Sequence, residues 1–124
     1  MAASQPLILV MDDDPDMRAL LERHLSGAGY EVVTAESAEA ARSRVAKRRP
    51  ALILADINLP GASGIEFAAA LRDEPELARI PLIYVTGLEP DEELVLKTLG
   101  YPLLSKPVDA RELLALVKRQ LPKR

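Results

Sequence analysis

The sequence contains no cysteine and no tryptophan, and it has only one histidine and one phenylalanine. The missing cysteines exclude disulfides, thiolate nucleophiles and cysteine-ligated zinc, and a lone His24 cannot form a histidine metal cluster. No apolar stretch approaches the ~20 residues of a membrane span. The opening residues, Met1–Pro6, lack the basic and long apolar regions of a secretion signal. We therefore expect a cytoplasmic protein that does not enter a membrane.

The sequence also lacks a large excess of charge of either sign. Lys and Arg number 16 against 19 Asp and Glu, which gives a net charge of -3 and argues against direct nucleic-acid binding. The length of 124 residues favours one domain, 1–124, and 48% hydrophobic residues is an ordinary globular composition. The chain carries no low-complexity tract, internal repeat or linker.

Short apolar runs alternate with longer amphipathic segments. The runs are nearly continuous rather than alternating, which is typical of strands buried on both faces of a sheet. The predicted strands are Leu7–Met11, Glu31–Thr34, Ala51–Ala55, Leu82–Val85 and Pro102–Leu104. This alternation predicts a (βα)5 α/β fold, doubly wound, with a five-stranded parallel sheet, right-handed crossovers and helices on both faces.

Capping residues and apolar stripes mark the helices. Asp14 before Pro15 predicts the start of a first helix, with an apolar stripe of Met17, Leu20, Leu21, Leu25 and Ala28. Ser37 caps a second helix that stops before Pro50, and a third spans Gly64–Arg72. A fourth, around Asp91–Leu99, is short and weakly patterned. The last begins at a D-x-x-E capping box formed by Asp109 and Glu112.

The polar residues that follow the strands form the functional pattern. Asp12 and Asp13 follow the first strand, Asp56 follows the third, Thr86 ends the fourth, and Lys106 follows the fifth. In an open parallel sheet these positions meet at one edge, where ligands bind. Clustered carboxylates need a cation to neutralise them, and hard oxygen ligands at an open site suit Mg²⁺. Carboxylate, hydroxyl, ammonium and Mg²⁺ together predict phosphoryl transfer.

These motifs resemble the receiver domain of bacterial two-component response regulators over nearly the whole chain, Leu7–Leu121. They are the acidic pair after the first strand, "DINLPGASG" after the third, Thr-Gly after the fourth and Lys-Pro after the fifth. Each is common alone, and Thr86 by itself would be read as a strand residue and Lys106 as a surface charge. The resemblance implies a flavodoxin-like sheet with strand order 2-1-3-4-5.

The resemblance also implies residue roles. Asp56 is the expected phosphoacceptor, Thr86 would hydrogen-bond the phosphoryl group, and Lys106 would pair with it. Lys106–Pro107 resembles the cis peptide of the family.

For the metal, Asp13 is expected to bind Mg²⁺ directly, Asp12 through water, and Asn58 through its main-chain carbonyl, and Asp56 is also expected to be a metal-site residue. Asp14 matches no ligand position, so we interpret it as a helix cap.

Two features depart from the family pattern. The spacing between Thr86 and Lys106 is a couple of residues short, and Leu103 stands where a switch aromatic is expected. In addition, "PLIYVTGL" is similar to the Pro-Phe-x-Phe-Ala-Thr-Gly-Tyr signature of the alphaproteobacterial FATGUY single-domain subclass, with Tyr84 for a Phe and Leu88 for the Tyr. We interpret Tyr84 as core, with a relocated aromatic reporter as the alternative, and we expect the segment Gly87–Tyr101 to be the switch.

The leading hypothesis is a signalling phosphoacceptor, not an enzyme on an outside substrate. Its expected partners are a histidine kinase or a histidine phosphotransfer protein and a downstream protein of unknown identity, and we expect a monomer or weak dimer. It would be a single-domain regulator or part of a longer chain. One alternative is a phosphorylation-independent pseudo-receiver. Another is an aspartyl phosphohydrolase, which needs an Asp where this chain has Asn58.

Overall fold

A five-stranded parallel sheet forms the centre of the computed structural model, which describes residues 5–59, 63–87, 91, 98 and 100–122. The strand order is β2-β1-β3-β4-β5, as the resemblance to receiver domains implied. The strands are β1 (Leu7–Met11), β2 (Glu31–Ala35), β3 (Leu52–Asp56), β4 (Leu82–Thr86) and β5 (Leu103–Ser105). Every residue of β1, β3 and β4 is buried, because helices cover both faces of the sheet.

Four strands end one residue later than the apolar runs in the sequence. Ala35 pairs with Met11, Asp56 with Val85 and Thr86 with Ser105, so the ladder reaches the polar residues. The apolar pattern did not include the last strand residues, because main-chain hydrogen bonding between strands does not require an apolar side chain. Asp56 and Thr86 are therefore held by the sheet itself rather than by the loops after it.

Four helices surround the sheet in the part of the chain that the structure describes. They are α1 (Pro15–Gly27), α2 (Ala38–Lys47), α3 (Gly64–Arg72) and α4 (Ala110–Gln120). Each begins at a side-chain cap: Asp14, Ser37, Ser63 and Asp109 each accept a hydrogen bond from a main-chain N–H in the first turn. The predicted helix over Asp91–Leu99, short or irregular, lies outside the described residues, apart from Asp91 and Thr98.

The two sides of the sheet have separate cores. On one side, Leu21 and Leu25 of α1 and Leu113 and Val117 of α4 pack against β1, β3 and β4. On the other side, α2 and α3 contribute Ala38, Ala41, Val45, Phe67, Ala68 and Leu71. Neighbouring residues of a strand alternate between these two cores, since successive side chains point to opposite faces. The sheet edge at the strand ends is left to the polar residues.

Two residues of the apolar stripe predicted for the first helix, Leu20 and Ala28, are not buried. Leu20 is 37% exposed, whereas the next residue, Leu21, is 1% exposed. Neighbouring helix positions lie about 100° apart around the axis, and α1 packs against the sheet along one side only. Ala28 is also exposed, because the helix has already ended at Gly27. None of the described helices has the length and apolarity that crossing a membrane requires.

Candidate functional site

The site lies at the edge where the strands end. Met11 pairs with Ala55, which sets the following residue, Asp12, beside Asp56 at the end of β3. Asp56 pairs with Val85, and Thr86 is the next residue of β4. Lys106 follows β5 directly, and its main-chain N–H donates to the carbonyl of Thr86 at 2.8 Å. The sheet register therefore brings together residues that are far apart in the chain.

The ammonium group of Lys106 bridges two buried carboxylates. Its Nζ lies 3.0 Å from Oδ2 of Asp12 and 3.0 Å from Oδ2 of Asp56. Asp12 is 1% exposed and Asp56 is 6% exposed, so both charges have left most of their water. A buried charge needs a partner of opposite sign, and here one cation serves two anions. The pocket therefore holds more negative than positive charge.

The local pKa values reflect this arrangement. Burial raises the pKa of the Asp56 carboxyl above its ordinary value, while hydrogen bonds from Lys106 and from the N–H of Asn58 act to lower it. Burial acts to lower the pKa of Lys106, but its hydrogen bonds to Asp12 and Asp56 outweigh that effect and raise it. Lys106 therefore stays protonated, whereas the ionised form of Asp56 carries a burial cost that a second cation would reduce.

Three carboxylates could hold that second cation. One oxygen from each of Asp12, Asp13 and Asp56 lies within 4.8 Å of the others, and Asp13 is exposed to solvent. Oxygen-only donors on a partly open site suit a hard divalent ion such as Mg²⁺, which retains several water ligands. The donor set and the uncompensated charge therefore fit a metal ion of this kind.

Asn58 lies at the rim of the site, two residues after Asp56. Its N–H donates to Oδ1 of Asp56 at 3.1 Å, which fixes the turn that leaves β3, and the residue itself is exposed.

Thr86 is fully buried at the end of β4. The Lys106–Pro107 peptide is cis, which confirms that expectation. Asp14 caps α1, accepting from the N–H of Asp16 at 2.9 Å. The sequence had placed Thr86 and Lys106 at this edge and had indicated Asp14 as a helix cap, whereas Asn58 was implied by the family resemblance.

Two residues that support the site were missed. A methyl group on Gly64, the first residue of α3, would lie 2.2 Å from the carbonyl oxygen of Asp56. Its position as the last letter of "DINLPGASG" was the available signal. The second is Arg18 in α1, whose Nη1 donates to the carbonyl of Asp12 at 2.8 Å. The signal for Arg18 in the sequence was a cation close to the start of a helix, where the macrodipole disfavours positive charge.

Comparison with known proteins identifies the family. The family model described as "Response regulator receiver domain" matches residues 8–118. The chain belongs to the response regulator receiver domain family. A curated relative, the phosphate regulon transcriptional regulatory protein PhoB of Rhizobium meliloti, is 37% identical over 118 residues. That match covers 94% of this chain and 52% of PhoB, so the receiver spans about half the length of this relative.

Solved receivers share the fold. Chemotaxis protein CheY4 of Vibrio cholerae superimposes with a TM-score of 0.88 at 30% identity, covering 95% of this chain and 100% of the other. The signal receiver domain of a histidine kinase from Syntrophus aciditrophicus gives 0.85 at 29% identity, covering 94% and 89%. Receivers generally bind Mg²⁺ at an acidic pocket, and the aspartate cluster of this receiver could hold such an ion.

Leu103, one of the two departures from the family pattern, lies beside an aromatic cluster in the structure. Leu103 is half-buried and pairs with Tyr84 across β4 and β5. Tyr84 is fully buried, as predicted, and its ring meets that of Tyr101 edge-on with centroids 6.2 Å apart. Arg72 lies 5.4 Å from the centroid of the Tyr101 ring. An aromatic cluster therefore lies beside Leu103. The predicted switch segment Gly87–Tyr101 lies largely outside the described residues, and membership of the FATGUY subclass stays a prediction.

Proposed function

We propose that Asp56 accepts a phosphoryl group from the phosphohistidine of a histidine kinase or a histidine phosphotransfer protein, and that this modification switches the binding of a partner. The observation that carries the proposal is the shared ammonium group of Lys106, held 3.0 Å from Asp12 and 3.0 Å from Asp56 at an open sheet edge. A nucleophilic carboxylate, a second carboxylate and a fixed cation in one pocket are suited to phosphoryl transfer.

The reaction exchanges one bond to phosphorus for another. An oxygen of Asp56 attacks the phosphorus, an O–P bond forms, and the N–P bond of phosphohistidine breaks. The electron pair of that bond remains on the imidazole nitrogen. Lys106 is placed to donate to a phosphoryl oxygen, since its Nζ already lies at hydrogen-bond distance from Asp56. Thr86 supplies a hydroxyl at the end of the adjacent strand. Both groups would stabilise charge on the phosphoryl oxygens.

Mg²⁺ would be held by Asp13 and Asp56 directly, by Asp12 through water, and by the main-chain carbonyl of Asn58. When bound, it neutralises charge that develops on the phosphoryl oxygens. The protein contributes the position of the carboxylates: Asp12 and Asp56 are fixed by Lys106, and Asp13 faces solvent, from which the ion and the donor arrive.

We further propose that the chain catalyses the transfer of the phosphoryl group onto its own Asp56 and does not turn over an outside substrate. It acts as one receiver domain, 1–124, in the cytoplasm, as a monomer or weak dimer, and it passes the signal to a protein rather than directly to nucleic acid. The similarity of "PLIYVTGL" to the FATGUY signature supports a place in that single-domain subclass.

Incubation with acetyl phosphate and Mg²⁺, followed by intact mass spectrometry, tests the proposal. We expect one acid-stable, base-labile phosphoryl adduct on the wild type and none on Asp56→Asn, a nearly isosteric change that removes the nucleophile. Asp73→Asn, at an exposed cap of α3, is the matched control and should still be modified. An adduct on Asp56→Asn would refute the assignment.

The same experiment separates the alternatives. A pseudo-receiver shows no adduct under any condition, although its circular dichroism spectrum is that of a folded protein. A phosphohydrolase shows continuous release of inorganic phosphate at a rate far above the decay of a single adduct. Adduct formation that needs Mg²⁺ and is blocked by EDTA supports the metal assignment.

A further inference from the structure

One guanidinium group contacts the main chain of the acidic turn, which we define as Asp12–Asp14. Arg18 of α1 is half-buried, and its Nη1 donates to the carbonyl oxygen of Asp12 at 2.8 Å. Three aspartates lie in this turn, yet none of the carboxylates in residues 5–59 or in the other described segments forms an ion pair with Arg18. The guanidinium is therefore directed at a peptide group rather than at a side-chain charge.

The position of Arg18 within its helix is one where the macrodipole disfavours a cation. It lies near the N-terminus of α1, where the helix macrodipole favours negative charge, and its N–H donates to the carbonyl of the capping residue, Asp14. Arg18 lies on the side of the helix that meets the turn, whereas Arg23 of the same helix is exposed. A residue that breaks a local preference without an apparent gain in packing points to a functional constraint.

The contact fixes the peptide plane between Asp12 and Asp13. The two flanking peptide groups are also held: the N–H of Asp12, before this plane, donates to the carbonyl of Ala35 at 3.1 Å, and the N–H of Asp14, after it, donates to Oδ1 of Asp12 at 2.9 Å. The carbonyl of Asp12 is held by Arg18. The orientation of this plane determines where the Cα–Cβ bond of Asp13 points.

Asp13 depends on this plane more than its neighbours do. The Asp12 and Asp56 side chains are both held by Lys106. The Asp13 side chain is exposed and forms no hydrogen bond or ion pair with any residue that the structure describes. Its carboxylate is therefore placed by its backbone alone.

We propose that Arg18 is a positioning residue for the divalent-cation site, because its hydrogen bond to the Asp12 carbonyl fixes the peptide plane that aims the Asp13 carboxylate. This inference rests on the proposed function, since it needs the acidic turn to bind a cation. Residues that orient metal ligands in this way typically change metal affinity by about 10–100-fold when they are replaced.

The effect of charge alone has the opposite sign. A positive guanidinium near the site repels a divalent cation, so removing it would strengthen Mg²⁺ binding if Arg18 acted only through space. Such an effect would also fade as salt is added, because added ions screen it. A positioning role predicts weaker binding on removal, with little dependence on salt. The sign of the change therefore separates the two explanations.

Calorimetric titration with Mg²⁺ alone, at low and high KCl, measures the sign directly. We expect Arg18→Gln to raise the Kd about tenfold at both salt concentrations. Arg18→Lys keeps the charge but not the planar fork of donors, so its Kd should lie between those of Arg18→Gln and the wild type. Arg23→Gln makes the same change of charge on the exposed side of α1 and should remain within about twofold of the wild type.

Amide hydrogen exchange in metal-free protein supplies a second readout. Arg18→Gln should increase exchange at Asp13 and Asp14 while α4 keeps its protection, since only the acidic turn loses a constraint. If Arg18→Gln does not fold, as judged by circular dichroism, the Kd and exchange of Arg18→Lys decide the question.

Several results would overturn the proposal. Tighter Mg²⁺ binding by Arg18→Gln, or a Kd equal to that of the wild type, would show that the contact does not position Asp13. An Arg18→Lys Kd equal to the wild-type value, with unchanged exchange in the turn, would do the same. If the wild type itself shows no saturable binding, the metal site is refuted, which is a failure of the proposed function and is distinguishable from a failure at Arg18 alone.

Discussion

Replacing Gly64 by alanine places a methyl group where the backbone of the phosphoacceptor strand already lies. The new Cβ would be 2.2 Å from the carbonyl oxygen of Asp56, 3.0 Å from its carbonyl carbon and 3.2 Å from the Cα of Ile57. All three are backbone atoms, so no rotation of a side chain relieves the contact. The N–H of Gly64 also donates to the carbonyl of Ile57 at 2.8 Å, which ties α3 to the turn after β3.

The size of the effect follows from this geometry. Non-bonded atoms rest at about 3.5 Å, so the start of α3 and the end of β3 have to separate by more than about 1 Å. Overpacking of this kind costs roughly 1–3 kcal/mol in the free energy of unfolding. A shift of about 1 Å in a reacting group can also slow its reaction by about 100-fold. We expect Gly64→Ala to lose stability and to phosphorylate slowly.

Gly27→Ala is the matched control, because the same methyl group meets no atom within 4 Å at the last residue of α1. There the change should stabilise the protein by roughly 0.4–1 kcal/mol, since alanine restricts the unfolded chain. Urea unfolding monitored by circular dichroism gives both free energies, and acetyl phosphate with Mg²⁺ gives both phosphorylation rates. The two variants should differ in the sign of the stability change.

The reasoning about Gly64 is refuted if Gly64→Ala unfolds at the wild-type urea concentration and phosphorylates at the wild-type rate. A loss of stability with a normal rate would show that α3 moves away while Asp56 stays in place. In that case the contact matters for packing but not for the position of the nucleophile.

Three further changes test the charges and the buried hydroxyl. Asp56→Asn in EDTA should be more stable than the wild type at neutral pH. The folded wild type holds the Asp56 proton more tightly than the unfolded chain, so its stability is greatest below the unfolded pKa and falls as pH rises through the raised folded pKa. Urea unfolding of both proteins across this pH range measures the stability difference. Profiles of stability against pH that run parallel for the two proteins would contradict the prediction. Lys106→Met should lower the free energy of unfolding by roughly 1–3 kcal/mol, because two buried carboxylates lose their hydrogen-bond donor. Mg²⁺ should raise the Tm of this variant more than that of the wild type. An equal rise in both proteins would show that the ion does not replace the ammonium charge. Tyr84→Phe should raise the free energy of unfolding by about 1 kcal/mol, because the Tyr84 hydroxyl is buried without a hydrogen-bond partner among the described residues. A lower Tm for this variant would show that the hydroxyl does form a hydrogen bond.

The sequence pattern was enough to predict a parallel α/β sheet, and the family resemblance supplied its strand order. Apolar runs without alternation indicated strands buried on both faces, and Asp14, Ser37 and Asp109 marked three helix starts, because caps and periodicity are local properties of the chain. The order of polar residues at the strand ends predicted the sheet edge where Asp56 and Lys106 meet, since parallel strands end together. The exposure of Leu20 was beyond this reasoning, because a helical stripe does not show how wide a face the sheet will cover.

The tertiary structure decided which polar groups share a contact. The sequence placed Asp12, Asp56 and Lys106 at one edge, but only the packed strands bring one ammonium group to 3.0 Å from both carboxylates. The methyl-excluding contact at Gly64 and the hydrogen bond from Arg18 to a carbonyl depend on how α3 and α1 meet the ends of their strands. These distances are set by helix–sheet packing, which sums many side-chain contacts across the whole domain, whereas caps and strands are set by residues only a few positions apart.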